Sequence, residues 1–122
     1  MSKQKRKGDG YERELAAYFN DVCGLSSYRT PLSGGGRVDM TPAADLMGTP
    51  GLFVEAKRVE RLNFHAALAQ AERNRDRDSG ADTEITVVIN RRSRMTTGQS
   101  LCLLRLDDLL ELYRHYLRAN GY

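Results

Sequence analysis

Apolar residues recur every three or four positions near the start of the chain. Their spacing predicts a helix over about residues 9–22 that ends near Gly24, with Asp9 as its N-cap. The preceding residues, 1–8, lack this pattern and predict a flexible basic arm. The helix presents one apolar face, formed by Tyr11, Leu15, Tyr18, Phe19 and Val22.

The middle of the chain has short extended segments separated by turn residues. Residues 26–31 and 43–47 predict two short strands, with the loop Ser33-Gly34-Gly35-Gly36 between them. The turn residues 48–51 then lead into a strand over 52–58. We expect a hairpin or meander of three strands from this arrangement.

The second half returns to helical spacing on either side of another pair of strands. Helices are predicted at about 64–78 and 107–119, and strands at 84–90 and 100–105, with a polar loop over 91–99. The apolar centre of 84–90 indicates an internal strand. The order α-β-β-β-α-β-β-α predicts an α/β fold, a mixed β-sheet flanked by helices, with residues 9–122 as a single domain.

Composition narrows the class of protein. A chain of 122 residues with 40% hydrophobic and 29% charged residues suits one folded domain. It has no apolar run of about 20 residues and no apolar signal segment, so we expect no membrane partner and a cytoplasmic location. Two cysteines and two distant histidines match no zinc spacing.

Positive charge is concentrated in two places. The first basic cluster lies within residues 3–7 and includes Lys7, and the second comprises Arg91, Arg92 and Arg94. Such clusters suit phosphate backbones, but a solubilising tail explains the first equally well. The chain has 15 arginines and 4 lysines, and Lys57 is the only lysine outside the tail.

The strand over 52–58 carries the candidate chemistry. Because side chains alternate along a strand, Val54 and Ala56 face a core while Glu55 and Lys57 lie together on the other face. A hairpin through the 48–51 turn would bring Asp45 beside Glu55. A divalent cation relieves the repulsion between two such carboxylates, and an all-oxygen site favours Mg²⁺ or Mn²⁺. A water on that ion could attack phosphorus, with Lys57 polarising it, which is a nuclease layout.

A Glu-x-Lys pair alone is weak evidence, because an exposed ion pair on a sheet face is ordinary. With its context, however, the pattern becomes recognisable. Asp45, followed ten residues later by Glu55-Ala56-Lys57 and preceded by a helix that bears Glu12-Arg13-Glu14, resembles the PD-(D/E)XK nuclease superfamily. Within that superfamily, residues 7–75 resemble archaeal-type Holliday junction resolvases, which implies a restriction-endonuclease-like fold.

The resemblance implies a role for each matching residue. Asp45 and Glu55 would bind the metal with the Ala56 carbonyl, Glu12 would help to organise it, and Lys57 would be the catalytic lysine. The remaining matches would act on the substrate or in support. Ser33 would approach the DNA phosphate from a mobile loop, Arg13 and Arg29 would contact DNA, and Gln70 resembles a supporting residue.

Some assignments stay open at this level. Glu12 and Glu14 flank the apolar face symmetrically, so periodicity cannot choose between them, although the resemblance favours Glu12. The residue before Asp45 is Ala44 and not proline, and Asp39 is a rival acidic residue.

The sequence therefore predicts a metal-dependent, structure-specific DNA endonuclease, with a Holliday junction resolvase favoured. Four-way junctions would be its substrate. One active site per chain would then imply a homodimer, because junction resolution needs two symmetric cuts. The alternatives are a general or restriction-type PD-(D/E)XK endonuclease and a non-catalytic nucleic-acid-binding module.

Overall fold

Helices and strands follow one another in the order predicted from the sequence. The computed structural model describes residues 3–31, 44–77 and 84–122. Its elements in this part of the chain are α1 (Lys3–Cys23), β1 (Tyr28–Arg29), β2 (Leu46–Met47), β3 (Leu52–Lys57), α2 (Phe64–Arg77), β4 (Ile85–Asn90), β5 (Leu101–Leu103) and α3 (Leu106–Ala119), with a short 3₁₀ turn at Thr97–Gln99 before β5. The predicted α/β fold is confirmed.

The main sheet has the strand order β3-β4-β5, with β4 parallel to β3 and antiparallel to β5. The prediction that 84–90 forms an internal strand is confirmed, since β4 pairs on both sides. Its apolar side chains are needed because helices cover both faces: Val87 and Ile89 belong to the core that contains α1, and Val88 packs with α2.

The expected β2–β3 hairpin is reduced to a single backbone link. β2 pairs with β1 in a separate two-stranded sheet, in the register Tyr28↔Met47. Asp45 connects the two sheets, because its N–H donates to Val54 O at 2.8 Å and its C=O accepts from Thr30 N–H at 2.9 Å. The turn itself requires glycine at position 48, where φ is +77° and a Cβ would lie 2.8 Å from Ser26 O.

The first helix begins earlier than the periodicity indicated. α1 starts at Lys3, so residues 3–8 of the predicted arm are helical and Asp9 lies inside the helix instead of capping it. Lysine, arginine and glutamine are good helix formers and can extend a helix that the core has already nucleated. The division into an arm and one nuclease domain stays a prediction.

The last helix differs from the first two in its packing. α1 and α2 bury apolar residues against opposite faces of the main sheet, whereas no residue of α3 is buried. In the described part of the chain, no helix combines the length and the apolar character needed to cross a membrane.

Candidate active site

Asp45 is held against the strand that carries the Glu-x-Lys sequence. Its Oδ2 accepts a hydrogen bond of 2.7 Å from the backbone N–H of Ala56. With the backbone bond to Val54, this fixes the carboxylate beside β3. Burial raises the pKa of Asp45, and the Ala56 N–H, Lys57 and Arg29 oppose that shift.

Glu55 is buried on β3, on the face opposite Val54. Burial, followed by the charges of Asp45 and Glu12, raises the pKa of Glu55 to about 7, and Lys57 acts in the other direction. The charges of Asp45 and Glu12 thus both act on Glu55. A cation in their midst would relieve both the mutual repulsion and the cost of burial.

Lys57 shares a face with Glu55, as alternation along the strand predicts. Its Nζ lies 3.9 Å from Glu55 Oε1, and its side chain is 27% exposed. That distance allows an ion pair but exceeds an ordinary hydrogen bond. The ammonium therefore remains accessible to a third group, such as a phosphate oxygen or a water.

Glu12 is brought to this site by α1 and is ion-paired. Its Oε2 accepts from Arg29 Nε at 2.8 Å, and both side chains are mostly buried. Arg29, expected to contact DNA, thus lies against the carboxylate expected to organise the metal. The pair joins α1 to β1 next to Asp45 and Glu55.

Glu14 contacts a different set of residues from Glu12. The structure therefore distinguishes these two carboxylates, which periodicity left equivalent. Glu14 accepts a 2.7 Å hydrogen bond from Thr97 Oγ1 and pairs with Arg91, whose Nε lies 3.0 Å from its Oε2. Arg91 also lies over the ring of Tyr11, 5.5 Å from its centroid. These contacts join α1 to the segment after β4.

The residues at this site fit a divalent cation for which protein oxygens fill only some of the coordination positions. Asp45, Glu55 and the Ala56 carbonyl are hard oxygen donors, with Glu12 nearby. In residues 3–31, 44–77 and 84–122, no three acidic, histidine or cysteine side chains are grouped closely enough to hold a metal by themselves. Mg²⁺ commonly uses one or two carboxylates and fills its remaining positions with water and substrate phosphate.

Arginines lie beyond the ends of the two parallel strands. The Glu60 carboxylate accepts from the backbone N–H of Ser93 at 2.9 Å, which joins the segment after β3 to the segment after β4. Arg92 and Arg94 flank this joint and are exposed, and Arg94 has a φ of 68°. Because β3 and β4 are parallel, these residues lie at the end of the sheet where β3 ends with Lys57.

The other sequence-predicted residues divide into three groups. Arg13 on α1 and Gln70 on α2 are exposed. Lys7 lies within α1, and its side chain is outside the description. Ser33 and Asp39, with the whole glycine loop, lie outside the described residues, so their expected roles stay predictions.

Sequence reasoning missed two residues that organise this region. The Asn90 side chain donates to Val59 O and accepts from Val59 N–H, both at 3.0 Å. Arg58 donates to Arg91 O at 3.3 Å. A signal was present for Asn90, which is a polar residue directly after the apolar run of β4. For Arg58, the sequence held no signal other than its position next to Lys57.

The fold brings three features close to one another: a helix carboxylate, an aspartate between two sheets and a strand with a Glu-x-Lys sequence. This arrangement, on an α-β-β-β-α-β core, resembles the pattern of the PD-(D/E)XK nuclease superfamily. The family described as "Phage putative PDDEXK endonuclease" matches residues 3–76, which is more than half of the chain, and the chain belongs to that family. No curated protein and no solved structure matches the chain.

Proposed function

We propose that this protein is a divalent-metal-dependent DNA endonuclease of the Holliday junction resolvase type. The observation that carries the proposal is the arrangement at the end of β3. There, the Ala56 N–H holds Asp45 beside Glu55, and the Lys57 ammonium lies 3.9 Å from Glu55. Membership of a PDDEXK endonuclease family supports the reaction class.

The reaction is hydrolysis of a phosphodiester. A water oxygen attacks phosphorus, the bond from phosphorus to one sugar oxygen breaks, and that oxygen leaves as an alcohol with a proton. When bound by Asp45, Glu55 and the Ala56 carbonyl, Mg²⁺ or Mn²⁺ supplies Lewis-acid stabilisation of the phosphate and lowers the pKa of water. Lys57 orients the attacking water and neutralises charge that develops on the phosphate oxygens.

Glu12 positions the site in this proposal and does not act in the reaction itself. Its carboxylate influences Glu55, and its ion pair with Arg29 fixes its place. Arg29 therefore keeps the negative charge of Glu12 from adding fully to that of Asp45 and Glu55.

DNA contacts are proposed for the exposed arginines that lie near the site or on α1. Arg92 and Arg94 are available to phosphates, and Arg13 is exposed on α1. Lys7 is included because of its basic sequence context. Arg91 remains a weaker candidate, since Glu14, Tyr11 and the Met95 carbonyl already contact its guanidinium. Phosphate contacts of this kind position the duplex without reading its sequence.

The preference for four-way junctions is the finer part of the proposal and comes from the resemblance of residues 7–75 to the resolvases. It includes a homodimer with two active sites, and Ser33 in the loop that approaches the junction phosphate. The general endonuclease and the non-catalytic module remain as outcomes of the experiment.

The experiment compares a four-way junction with a linear duplex of equal arm sequence, each with and without Mg²⁺ or Mn²⁺. The proposal expects metal-dependent, symmetrically paired nicks in the junction and little cutting of the duplex. Equal cutting of both substrates would overturn the junction preference and leave a general endonuclease. Binding without cleavage in either metal would overturn the enzyme assignment.

A further inference from the structure

Apolar side chains cover one side of α3 and stay in solvent. Leu106, Leu109, Leu110, Tyr113 and Tyr116 are each about half exposed or more. They recur at helical spacing and form, with the partly exposed Leu117, what we call the α3 stripe. A helix of this pattern ordinarily buries its apolar side, and most of its stability comes from that packing.

The α3 stripe faces away from the body of its own chain. The side of α3 that lines a cleft of about 550 Å³ against the body carries Glu111, Leu112 and His115. At 3.6 residues per turn, the centre of the stripe lies roughly 150° around the helix from those residues. In the described part of the chain, the cleft is thus bordered by the more polar side of α3.

A second apolar surface is open on the body. Leu15, Tyr18, Phe19, Val22, Cys23 and Cys102 line a groove of about 220 Å³ between α1 and β5, which we call the α1 groove. Val22 is 66% exposed and Tyr18 is 45% exposed. The groove therefore has room for a large apolar side chain from another element.

The α3 of the same chain meets the edge of this groove only with its more polar side, because Phe19 and Cys23 also line the cleft that Glu111, Leu112 and His115 border. Only Leu104 and Arg105 connect β5 to α3. Arg105 makes two hydrogen bonds of 2.9 Å to the carboxylate of Glu72 on α2. This pairing ties the start of α3 to the helix that lies across the sheet from α1 and its groove.

The exposed area is that of a dimer interface. A half-exposed leucine or tyrosine leaves on the order of 100 Å² in solvent. The stripe and the groove together then expose roughly 800 Å² per chain, which is what each partner of a standard-size protein complex buries.

We infer that the occupant of the α1 groove is the α3 stripe of a second copy of this chain. Each chain carries one apolar helix side and one apolar groove, so a reciprocal exchange covers both surfaces and closes with two-fold symmetry. This inference gives a surface to the homodimer of the proposed function. It needs neither DNA nor cleavage to be tested, so either can fail without the other.

The first test measures the mass of the full-length protein by light scattering and sedimentation over a wide dilution series. Wild type is expected to dissociate from dimer to monomer. Tyr113→Asp places a charge in the centre of the stripe and should weaken the dimer about 30-fold or more, as loss of an interface hot spot does. Arg118→Asp, on the polar side of α3, is the matched control and should dimerise as wild type does.

The second test identifies what the stripe contacts. Cys23 lines the groove, so Tyr113→Cys in a Cys102→Ser background should give a dimer-sized product with a short bismaleimide cross-linker, and Cys23→Ser should abolish it. Arg118→Cys should give little product.

Three outcomes would overturn the inference. Wild type could be monomeric at every concentration, or Tyr113→Asp could dimerise like Arg118→Asp. Alternatively, the cross-link could persist without Cys23, which would mean that two stripes meet each other. Circular dichroism of Tyr113→Asp separates loss of the dimer from loss of the fold, and Val22→Glu repeats the test from the groove side.

Discussion

The end of β3 and the exposed side of α3 both depart from the usual placement of residues, in which charged side chains are exposed and apolar side chains are buried. At the end of β3, Glu55 and most of Asp45 are removed from water, whereas on α3 leucines and tyrosines remain in it. Each arrangement costs free energy in the isolated chain. Both proposals explain this cost by a group outside the chain: a cation and a phosphate at β3, and an apolar surface at α3.

The two regions also differ in what holds them. Asp45 is fixed by backbone hydrogen bonds and by the Ala56 N–H, and Glu12 is fixed by Arg29. By contrast, α3 has no buried residue, and the Arg105–Glu72 pair anchors its start. The β3 region is therefore organised by contacts within its own chain, whereas the apolar side of α3 would gain burial only in the proposed dimer.

The largest expected effect comes from Asp45→Asn. The amide keeps an acceptor for the Ala56 N–H but removes a charge that the cation needs, so cleavage should be lost while DNA binding remains. Gel-based cleavage with Mg²⁺ and a binding titration measure the two properties. Asp21→Asn on the exposed surface of α1 is the control. Full activity in Asp45→Asn would remove Asp45 from the metal site.

Lys57→Ala should slow cleavage by roughly 10²–10⁴-fold, because a positioned cation that stabilises developing charge is lost. Stability should change little, since the ammonium lies 3.9 Å from Glu55 and is partly exposed. Single-turnover rates and thermal unfolding measure the two effects, with Arg73→Ala as the control for a lost surface charge. If Lys57→Ala is largely unfolded but the molecules that remain folded are active, the role of Lys57 is structural and not catalytic.

A pair of leucine substitutions sharpens the comparison between a covered and an uncovered helix. Leu15→Ala on α1 removes a side chain that is 3% exposed and should cost about 2–5 kcal/mol of unfolding free energy. Leu109→Ala on α3 should cost less than about 1 kcal/mol in the dissociated chain, because its side chain is already half exposed. Urea unfolding below the dimer dissociation constant measures both. Equal costs would mean that α3 is packed within its own chain.

The arginines after β4 should separate into binding and structural residues. Arg92→Ala with Arg94→Ala should weaken DNA binding by roughly tenfold and reduce its salt dependence, since two phosphate contacts are removed. Arg91→Ala should mainly lower the melting temperature, because Glu14 loses its charged partner and keeps only the hydrogen bond from Thr97. Titrations at several salt concentrations and thermal scans test this. The assignment fails if Arg91→Ala has the larger effect on binding and the smaller one on stability.

The smallest effect concerns pH. Folded Glu55 keeps its proton up to about pH 7, whereas the unfolded chain releases it near 4.5, so the metal-free fold binds more protons between these values. Its stability should therefore fall as pH rises through this window. Mg²⁺ binds the charged form, so its stabilisation should be greater above pH 7 than below. Thermal scans of wild type and Glu55→Gln test this, and the slope should be smaller in the variant, where the raised pKa of Asp45 still contributes.

Residue pattern alone was sufficient for much of the fold. The spacing of apolar residues predicted α2, β3, β4 and α3 within a residue or two, because helix and strand periods are local properties. Alternation along β3 placed Glu55 with Lys57 and opposite Val54. The start of α1 was predicted too late, since its basic residues have no apolar period although they favour a helix.

What the tertiary structure decided was which distant residues meet. Glu12 and Glu14 are equivalent by periodicity, and only the positions of Arg29 and Arg91 give them different neighbours. The same holds for Asp45, whose bond to Ala56 crosses between two sheets, and for the α3 stripe, which any amphipathic pattern would have assigned to a core. Sequence determines which side of an element is apolar or charged. Chain connectivity and competing contacts determine what that side faces.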